Sequence, residues 1–223
     1  MNLEENHNSL KTLKSGISKI ELLSNLDKEF LGGEIKLTNK QLAGIAFLNE
    51  ENECLPRSLL LSLIAAKQAW GDSKPSKSIR TAIIGSTTIG GMDLTEDYFK
   101  TKRNIHALEN HPCSVVTDYL SDYFQLDGFK TTISTACSSS ANGIMLGARM
   151  IKNNFADRVL VVGGDALTHF TVNGFNSLLI YDSELCKPFD NNRKGLNLGE
   201  AAACVVLENE KSISITKNKK IAT

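Results

Sequence analysis

Cys137 is the residue whose setting in this chain best suits chemistry. It follows the β-branched segment Thr131–Thr135 and Ala136, and three serines and a long amphipathic pattern come directly after it. This order predicts a sharp strand-to-helix turn with the sulfur at the amino end of a helix. There, unpaired backbone N–H groups and the positive end of the helix dipole favour the thiolate, which is the nucleophilic form of cysteine. The pattern therefore indicates covalent catalysis by an activated thiol.

The same turn also fits a purely structural cysteine. A cysteine between a strand and a helix is often a small buried apolar residue. Ala136 and the serines keep the turn uncrowded in either case, which lets backbone or substrate approach the sulfur closely. From the turn alone, both interpretations stay open.

A glycine-rich segment, Gly85–Gly90, has the outer spacing of a phosphate-binding loop. That motif then requires Lys followed by Ser or Thr, and Gly91 and Met92 stand there instead. We therefore interpret the segment as a loop whose glycines permit positive φ angles and close packing.

The elements that position these residues alternate between strands and helices. Strands are predicted at Ile79–Ile84, Thr131–Thr135, Val159–Val162 and Ala202–Leu207. Helices are predicted near residues 8–20, from Pro56 to Trp70, from Pro112 to Phe124, and after Cys137. The buried stripe of the helix after Cys137 is predicted to be Ala141, Ile144, Ala148 and Ile151. This alternation indicates an α/β domain with a mostly parallel sheet flanked by helices.

Three polar or ambiguous positions have a structural interpretation. Asp165, after the apolar strand, is expected to cap the helix that follows it. His169 is expected to be a partly buried helical residue. Ile213–Ile215 is interpreted as either one more strand or the start of a further half of the protein.

The composition is typical of a globular protein: 223 residues, 41% hydrophobic and 22% charged, with zero formal net charge. The balanced charge gives no reason to expect a nucleic-acid or membrane partner. The five cysteines form no CxxC pair and no Cys/His cluster with zinc spacing. We therefore expect no metal site, and reduced thiols in a cytoplasmic protein. The segment Met1–Asn6 is acidic and polar, unlike a signal peptide.

Three motifs occur in a fixed order along the chain. The first is Ala82–Gly91, a strand with its glycine-rich loop, and the second is the turn from Thr135 to Ser140 with its Ala/Gly-rich helix. The third comprises Gly174–Leu178, Cys186–Gly195, Leu198–Ala202 and Val205–Glu208. Together they resemble the β-ketoacyl synthases of the thiolase-like fold, which carry a PFD-x-x-R-x-G, Gly-Glu-Gly-Ala and VLE series after the nucleophile. The Gly-Glu-Ala-Ala variant at 199–202, together with Gly174–Leu178, looks closest to synthases of aryl-polyene or flexirubin-type pigments.

The resemblance implies the N-terminal half of the thiolase-like α/β fold over residues 1–210, with residues 211–223 beginning a link to a second half. It implies that Cys137 accepts an acyl group from a carrier-protein thioester, with its backbone N–H holding the oxyanion. A carbanion from decarboxylating malonyl-carrier protein would then attack the acyl-enzyme. Ile89 and Phe175 would line the acyl pocket. The family implies no metal or organic cofactor, an acyl carrier protein as partner, and a homodimer paired through the strand near Thr131–Thr135.

The chain departs from the family's pattern at two places. The family's opening strand, of the type VVITG-x-G, has no counterpart before Leu10–Gly16. The family's second half carries two catalytic histidines and a lysine, and the four histidines here (His7, His106, His111 and His169) match none of these positions. We therefore expect the nucleophile to be present without its proton-handling partners, and this chain alone to be inactive in condensation. Asp190, Arg193 and Glu200 are expected to form structural turns and ion pairs behind the site.

Two other classes of function stay open from the residues. The chain could be a non-catalytic ketosynthase-like partner subunit, although such partners usually replace the nucleophile and Cys137 is retained. It could also be a cysteine hydrolase, which requires a histidine within hydrogen-bond reach of Cys137. The sequence contains no histidine motif that suggests such a pair.

Overall fold

The computed structural model of the protein describes residues 2–26, 28–47, 55–71, 76–102 and 104–217. In these residues the α-helices are α1 (Leu3–Lys11), α2 (Asn39–Ile45), α3 (Arg57–Trp70), α4 (Met92–Thr101), α5 (Ser114–Tyr123), α6 (Ser139–Lys152), α7 (His169–Ser177) and α8 (Glu210–Thr216). The strands are β1 (Ser18–Lys19), β2 (Leu31–Gly33), β3 (Thr81–Ser86), β4 (Lys130–Ile133), β5 (Arg158–Asp165), β6 (Leu198–Gly199) and β7 (Ala201–Glu208). A 3-10 helix spans Ile105–Asn110.

The main sheet has the strand order β4-β3-β5-β7 in the described residues. β4, β3 and β5 are parallel to one another, and β7 runs antiparallel to β5. Helices cover both faces, so the predicted α/β class with a mostly parallel sheet is confirmed. The predicted strands and the helices α3 and α5 occur where expected, with ends shifted by up to two or three residues.

The apolar core lies on both faces of β5. Leu160 and Val162 pack into a cluster with residues of α3 and α5, whereas Val159 and Val161 pack into a second cluster with Met150 of α6. Alternate residues of a strand point to opposite faces, so a strand covered on both sides is continuously apolar. This explains why the Val159–Val162 run predicts a central strand correctly.

The buried face of α6 differs from the predicted stripe. Of the predicted stripe, Ala141, Ile144 and Ala148 are exposed, and only Ile151 is partly buried against the second cluster. The fully buried residues are Ser139, Gly143, Gly147 and Met150. A Cβ added to Gly143 would lie 2.6 Å from the Ser86 Oγ and 3.1 Å from Val161 Cγ1, so the helix approaches the sheet closely there. The prediction was wrong because it selected the apolar residues, whereas this close approach requires the smallest ones.

Two terminal segments also differ from their predictions. The helix expected near 8–20 is α1, which begins after the N-cap Asn2 and ends at Lys11. The expected strand at Ile213–Ile215 lies inside α8, whose N-cap Asn209 accepts a hydrogen bond from the Ser212 backbone N–H. The cap supplies a helix start that outweighs the β propensity of the isoleucines. The boundary predicted at residue 210 coincides with the first residue of α8 and stays a prediction.

A small second sheet was not predicted at all. β1 pairs antiparallel with β2, and β2 pairs parallel with β6. Its strands have two or three residues and come from both ends of the chain. Segments this short carry no periodicity from which a strand is recognisable.

None of the helices in the described ranges is long and apolar enough to cross a membrane.

Asp157 connects the amino ends of β3 and β5 with the segment after β7. Its carboxylate accepts hydrogen bonds from the Arg80 guanidinium and backbone N–H, from Asn209 Nδ2 and from Lys211 Nζ, at 3.0–3.1 Å. The Arg80 guanidinium makes the largest contribution to holding the pKa of Asp157 far below its ordinary value, with the other donors adding to it. Arg80, Asn209 and Lys211 are thereby tied to one buried carboxylate.

This depressed pKa predicts an acid-sensitive contribution to stability. Because the folded pKa is below the unfolded value, the contribution is complete above about pH 4–5 and is lost as the pH falls toward the folded pKa. We expect Asp157→Asn to lower the free energy of unfolding at pH 7 by about 1–2 kcal/mol, since Arg80 and Lys211 are half exposed. We also expect the substitution to make the free energy of unfolding fall less steeply as the pH is lowered from about 5 to about 2. Urea unfolding across that range measures both effects, and parallel pH profiles for the two proteins would contradict the assignment.

Candidate functional site

The carboxyl ends of three parallel strands meet at one edge of the main sheet. Ser86 at the end of β3 lies opposite Ile133 of β4 and opposite Gly163 of β5. The residues that follow these three positions therefore emerge side by side. Cys137 follows β4, the glycine-rich loop follows β3, and Asp165 ends β5. In open α/β sheets this carboxyl edge is where ligands bind.

The predicted strand-to-helix turn is present. β4 ends at Ile133 and α6 begins at Ser139, with Ser138 as its N-cap and Cys137 directly before it. Ala136 has a φ of +50°, which is unusual for a residue with a side chain. The Cys137 side chain is exposed. The turn therefore presents the sulfur to solvent at the amino end of a 14-residue helix.

The serines after Cys137 do more than keep the turn uncrowded. Ser138 Oγ donates to the Thr135 carbonyl oxygen at 2.7 Å. Ser139 Oγ accepts from the Thr135 N–H at 2.8 Å and donates to the Ala136 carbonyl oxygen at 2.7 Å. Asn142 Nδ2 donates to Thr135 Oγ1 at 2.9 Å. The first turn of α6 is thus hydrogen-bonded to the backbone on the strand side of Cys137.

Asp165 holds the glycine-rich loop, and the expectation that it caps α7 was wrong. Its Oδ1 accepts from Thr87 Oγ1 at 2.6 Å and from the Thr88 N–H at 2.8 Å, and its Oδ2 accepts from Thr88 Oγ1 at 2.8 Å. The cap of α7 is Thr168, which forms a capping box with Thr171. A carboxylate already occupies the loop's N–H groups, which argues against a phosphate there. Sequence reasoning did not predict that Asp165 binds Thr87 and Thr88, because these residues are 78 and 77 positions away from it.

The two residues predicted to line an acyl pocket lie in different environments. Ile89 follows the Asp165-bound threonines, is 6% exposed, and packs in a cluster with Leu42, Leu60, Leu61 and Ala166. Phe175 is half-buried on α7 and is not part of that cluster. Their role in substrate binding stays a prediction.

Glu200 is the centre of a buried ion pair. Its Oε1 and Oε2 accept from Arg57 Nη2 at 2.6 Å and from Arg57 Nε at 2.8 Å. The same carboxylate also accepts from the backbone N–H groups of Ile35 and Leu167. Arg57 donates further to the carbonyl oxygens of Leu37 and Ile35. The expected structural role of Glu200 is thus supported, with Arg57 as its partner.

Asp190 and Arg193 lie apart from the Glu200 network. Both are exposed, and Arg193 Nη1 donates to the Asp190 backbone oxygen at 2.9 Å. This is the turn role expected for them.

Sequence reasoning missed Arg57, and the available signal was a lone arginine directly after Pro56 at the start of an apolar helix.

Two of the histidines have hydrogen-bond partners other than Cys137. His106 pairs with Glu109 and His111 with Thr95, and in the described part of the chain no hydrogen bond joins a histidine to the Cys137 sulfur. His169 is half-buried as the first residue of α7, as expected.

Burial raises the pKa of the Cys204 thiol to about 12, which leaves it protonated at neutral pH. Within the described ranges, no group of three or more His, Cys, Asp or Glu is placed to hold a metal ion.

Comparison with known proteins gives consistent matches. The family profile described as "Beta-ketoacyl synthase, N-terminal domain" matches residues 1–212. Nodulation protein E of Rhizobium leguminosarum bv. trifolii is 26% identical over 210 residues, which cover 89% of this chain and 52% of that protein. The 3-oxoacyl-[acyl-carrier-protein] synthase 2 of Coxiella burnetii (strain RSA 493 / Nine Mile phase I) is 28% identical over 162 residues, or 65% of this chain and 39% of that protein.

A solved structure shares both the fold and part of the sequence. A chain of the solved complex between the ketosynthase ApeO and its chain length factor ApeC, from Xenorhabdus doucetiae, superimposes with a TM-score of 0.75 at 25% identity. The match covers 94% of this chain and 54% of that chain. This chain therefore spans about half the length of nodulation protein E and of the matched chain in that complex.

Proposed function

The chain belongs to the β-ketoacyl synthase family, and from this we propose that it forms the N-terminal part of a β-ketoacyl-acyl carrier protein synthase. The observation that carries the proposal is the exposed Cys137 on a hydrogen-bonded turn at the amino end of α6. The other cysteines of the described residues, Cys113, Cys186 and Cys204, are half-buried and lie outside the turn. Their free thiols support a cytoplasmic protein.

In the first half-reaction, the Cys137 thiolate attacks the carbonyl carbon of an acyl thioester. A new C–S bond forms, the C–S bond to the carrier breaks, and the carrier leaves as a thiolate that takes up a proton. The Cys137 backbone N–H stabilises the negative charge on the carbonyl oxygen of the tetrahedral intermediate.

In the second half-reaction, a malonyl thioester loses CO₂, and the electron pair of the broken C–C bond becomes a carbanion. The carbanion attacks the acyl-enzyme carbonyl and expels the Cys137 thiolate, which gives a β-ketoacyl thioester. By resemblance, the histidines that assist decarboxylation lie outside residues 1–223. We therefore propose that this chain alone is acylated and does not condense.

The proposed substrate is an acyl group on the phosphopantetheine arm of an acyl carrier protein. The name of the Coxiella burnetii relative includes this carrier, which supports it as the partner. We propose that Ile89 and Phe175 line the acyl pocket and that residues 1–210 form the N-terminal domain. The carrier brings the reactive group on its own arm, so the proposal includes no metal or organic cofactor.

Mass spectrometry of the protein after incubation with an acyl-carrier thioester tests the proposal. We expect one acyl group per chain, on the peptide that contains Cys137, and no β-ketoacyl product when malonyl-carrier protein is added. Release of free fatty acid without a stable adduct would instead favour the hydrolase. No adduct on Cys137 would contradict the synthase assignment and favour the non-catalytic partner subunit.

We also propose that the chain forms a homodimer through β4. This strand lies at one edge of the main sheet, where its backbone can pair with a further strand. The neighbouring α6 exposes Ile144 by 42% and Met145 by 45%, which adds apolar surface beside that edge. Light scattering coupled to size exclusion at micromolar concentration should give the mass of two chains.

Proline substitutions test the edge itself. Successive residues of a strand direct their N–H groups to opposite sides, so one of Thr131→Pro and Thr132→Pro removes an outward donor. The variant that loses the outward-pointing N–H should dissociate the dimer. A monomeric unsubstituted protein would contradict the homodimer, and a complex formed only with a different ketosynthase-like subunit would favour the partner-subunit alternative.

A further inference from the structure

We propose that Ser139 is a positioning residue for Cys137, which it orients by clamping the strained peptide of Ala136. The inference rests on the proposed function, since it concerns the orientation of the Cys137 backbone N–H. It names a role for Ser139 that is separate from that of the nucleophile.

The strain lies at the residue directly before the nucleophile. Ala136 has a φ of +50°, in the left-handed region where the Cβ of an L-residue crowds the following carbonyl oxygen. Such a conformation persists in a non-glycine residue only where the surroundings hold it. The contacts that hold Ala136 therefore decide whether the turn keeps its shape.

Ser139 provides hydrogen bonds on both sides of Ala136. Its hydroxyl accepts from the Thr135 N–H at 2.8 Å and donates to the Ala136 carbonyl oxygen at 2.7 Å. The Ser139 backbone N–H donates to the same carbonyl oxygen at 3.1 Å. Ser139 is 4% exposed, so water competes weakly for these bonds.

The neighbouring serines do not share this role. Ser138 is exposed, and its hydroxyl donates to the Thr135 carbonyl oxygen. Ser140 is exposed and faces Gly163, where an added Cβ would lie 2.2 Å from the Ser140 Oγ. Of the three serines, only Ser139 hydrogen-bonds the Ala136 carbonyl group.

That carbonyl group sets the direction of the Cys137 N–H. The two belong to one planar trans peptide, in which C=O and N–H point in opposite directions. Holding the Ala136 oxygen toward Ser139 therefore directs the Cys137 N–H away from α6. This N–H is the group proposed to stabilise the oxyanion, so the clamp acts on acyl transfer through orientation.

Two reactions of the same sulfur separate orientation from access. Acyl transfer needs the oxyanion donor, whereas alkylation by iodoacetamide displaces iodide and forms no oxyanion. We expect Ser139→Ala to slow acylation of Cys137 about tenfold or more, because an oxyanion donor is misdirected. We expect the rate of alkylation to stay within about threefold, because the thiol keeps its place on the helix terminus.

Glycine at position 136 provides the rescue. Glycine adopts a positive φ without the crowding of a Cβ, so its peptide needs no clamp. The double variant Ala136→Gly/Ser139→Ala should regain most of the lost acylation rate, and Ala136→Gly alone should change it little. Ser140→Ala, the same substitution one residue further on, is the matched control and should acylate at the unsubstituted rate.

The experiment measures acylation of Cys137 from an acyl-pantetheine thioester by peptide mass spectrometry, alkylation by iodoacetamide, and urea unfolding of each variant. Slower acylation in Ser139→Ala with nearly unchanged alkylation, restored by glycine at 136, supports the clamp. Unchanged acylation, an equal fall in both reactions, or no rescue would overturn it. If the unsubstituted protein is not acylated, the proposed function itself fails. If it is acylated and Ser139→Ala does not slow the reaction, only the role of Ser139 fails.

Discussion

Replacing Cys137 with alanine is expected to abolish acyl transfer to the protein while leaving its fold intact. In the proposed mechanism the sulfur is the only atom of this chain that bonds to the acyl carbon, so no partial activity should remain. We expect the rate of adduct formation to fall by at least about 10³-fold, to the level of the uncatalysed background. The side chain is exposed, so the free energy of unfolding should change by less than about 0.5 kcal/mol.

Cys113→Ala is the matched control for this substitution. Cys113 is a half-buried free thiol that precedes α5, outside the Cys137 turn. This variant should form the acyl adduct at the unsubstituted rate. The assignment of the nucleophile would be contradicted if Cys137→Ala still formed an adduct, or if Cys113→Ala lost it.

Replacing Arg57 with methionine is expected to lower the free energy of unfolding more than any of the other proposed substitutions. It leaves the Glu200 carboxylate, with 1% of its side chain exposed, without a countercharge. Removing one partner of a buried ion pair typically costs about 3–5 kcal/mol. The carboxylate also holds the N–H groups of Ile35 and Leu167, so the damage extends to the segments beside β2 and after β5. Urea unfolding followed by the fluorescence of Trp70, the only tryptophan, measures the loss.

A double-variant cycle separates charge burial from simple loss of packing. In Arg57→Met/Glu200→Gln no charge is buried, and the amide that replaces the carboxylate keeps an acceptor oxygen in a side chain of the same size. We expect the double variant to recover more than half of the loss seen in Arg57→Met, so the two substitutions should be coupled by at least about 2 kcal/mol. Arg149→Met, at an exposed position of α6, is the control and should change stability by less than about 0.5 kcal/mol. Strictly additive effects at 57 and 200 would contradict the buried-pair interpretation.

The local elements around the site were predictable from sequence because their signals act over a few residues. A β-branched run, small residues and an amphipathic pattern were sufficient to place Cys137 between β4 and α6. The continuous apolar run Val159–Val162 was sufficient to predict a strand covered on both faces. Together with the motifs between Ala82 and Glu208, these signals determined the α/β class and the family.

Tertiary structure alone decided which face of α6 is buried and which polar groups meet. Close approach to the sheet selected Gly143 and Gly147 over Ile144, and no periodicity of apolar residues reports such an approach. Arg57 and Glu200 are 143 residues apart, and Thr87 and Asp165 are 78 apart. Capping and propensity act within one or two turns of chain, whereas the partner of a buried charge depends on which strands the topology brings together. The sequence by itself therefore determined where the proposed nucleophile lies, and only the folded chain determined what holds it there.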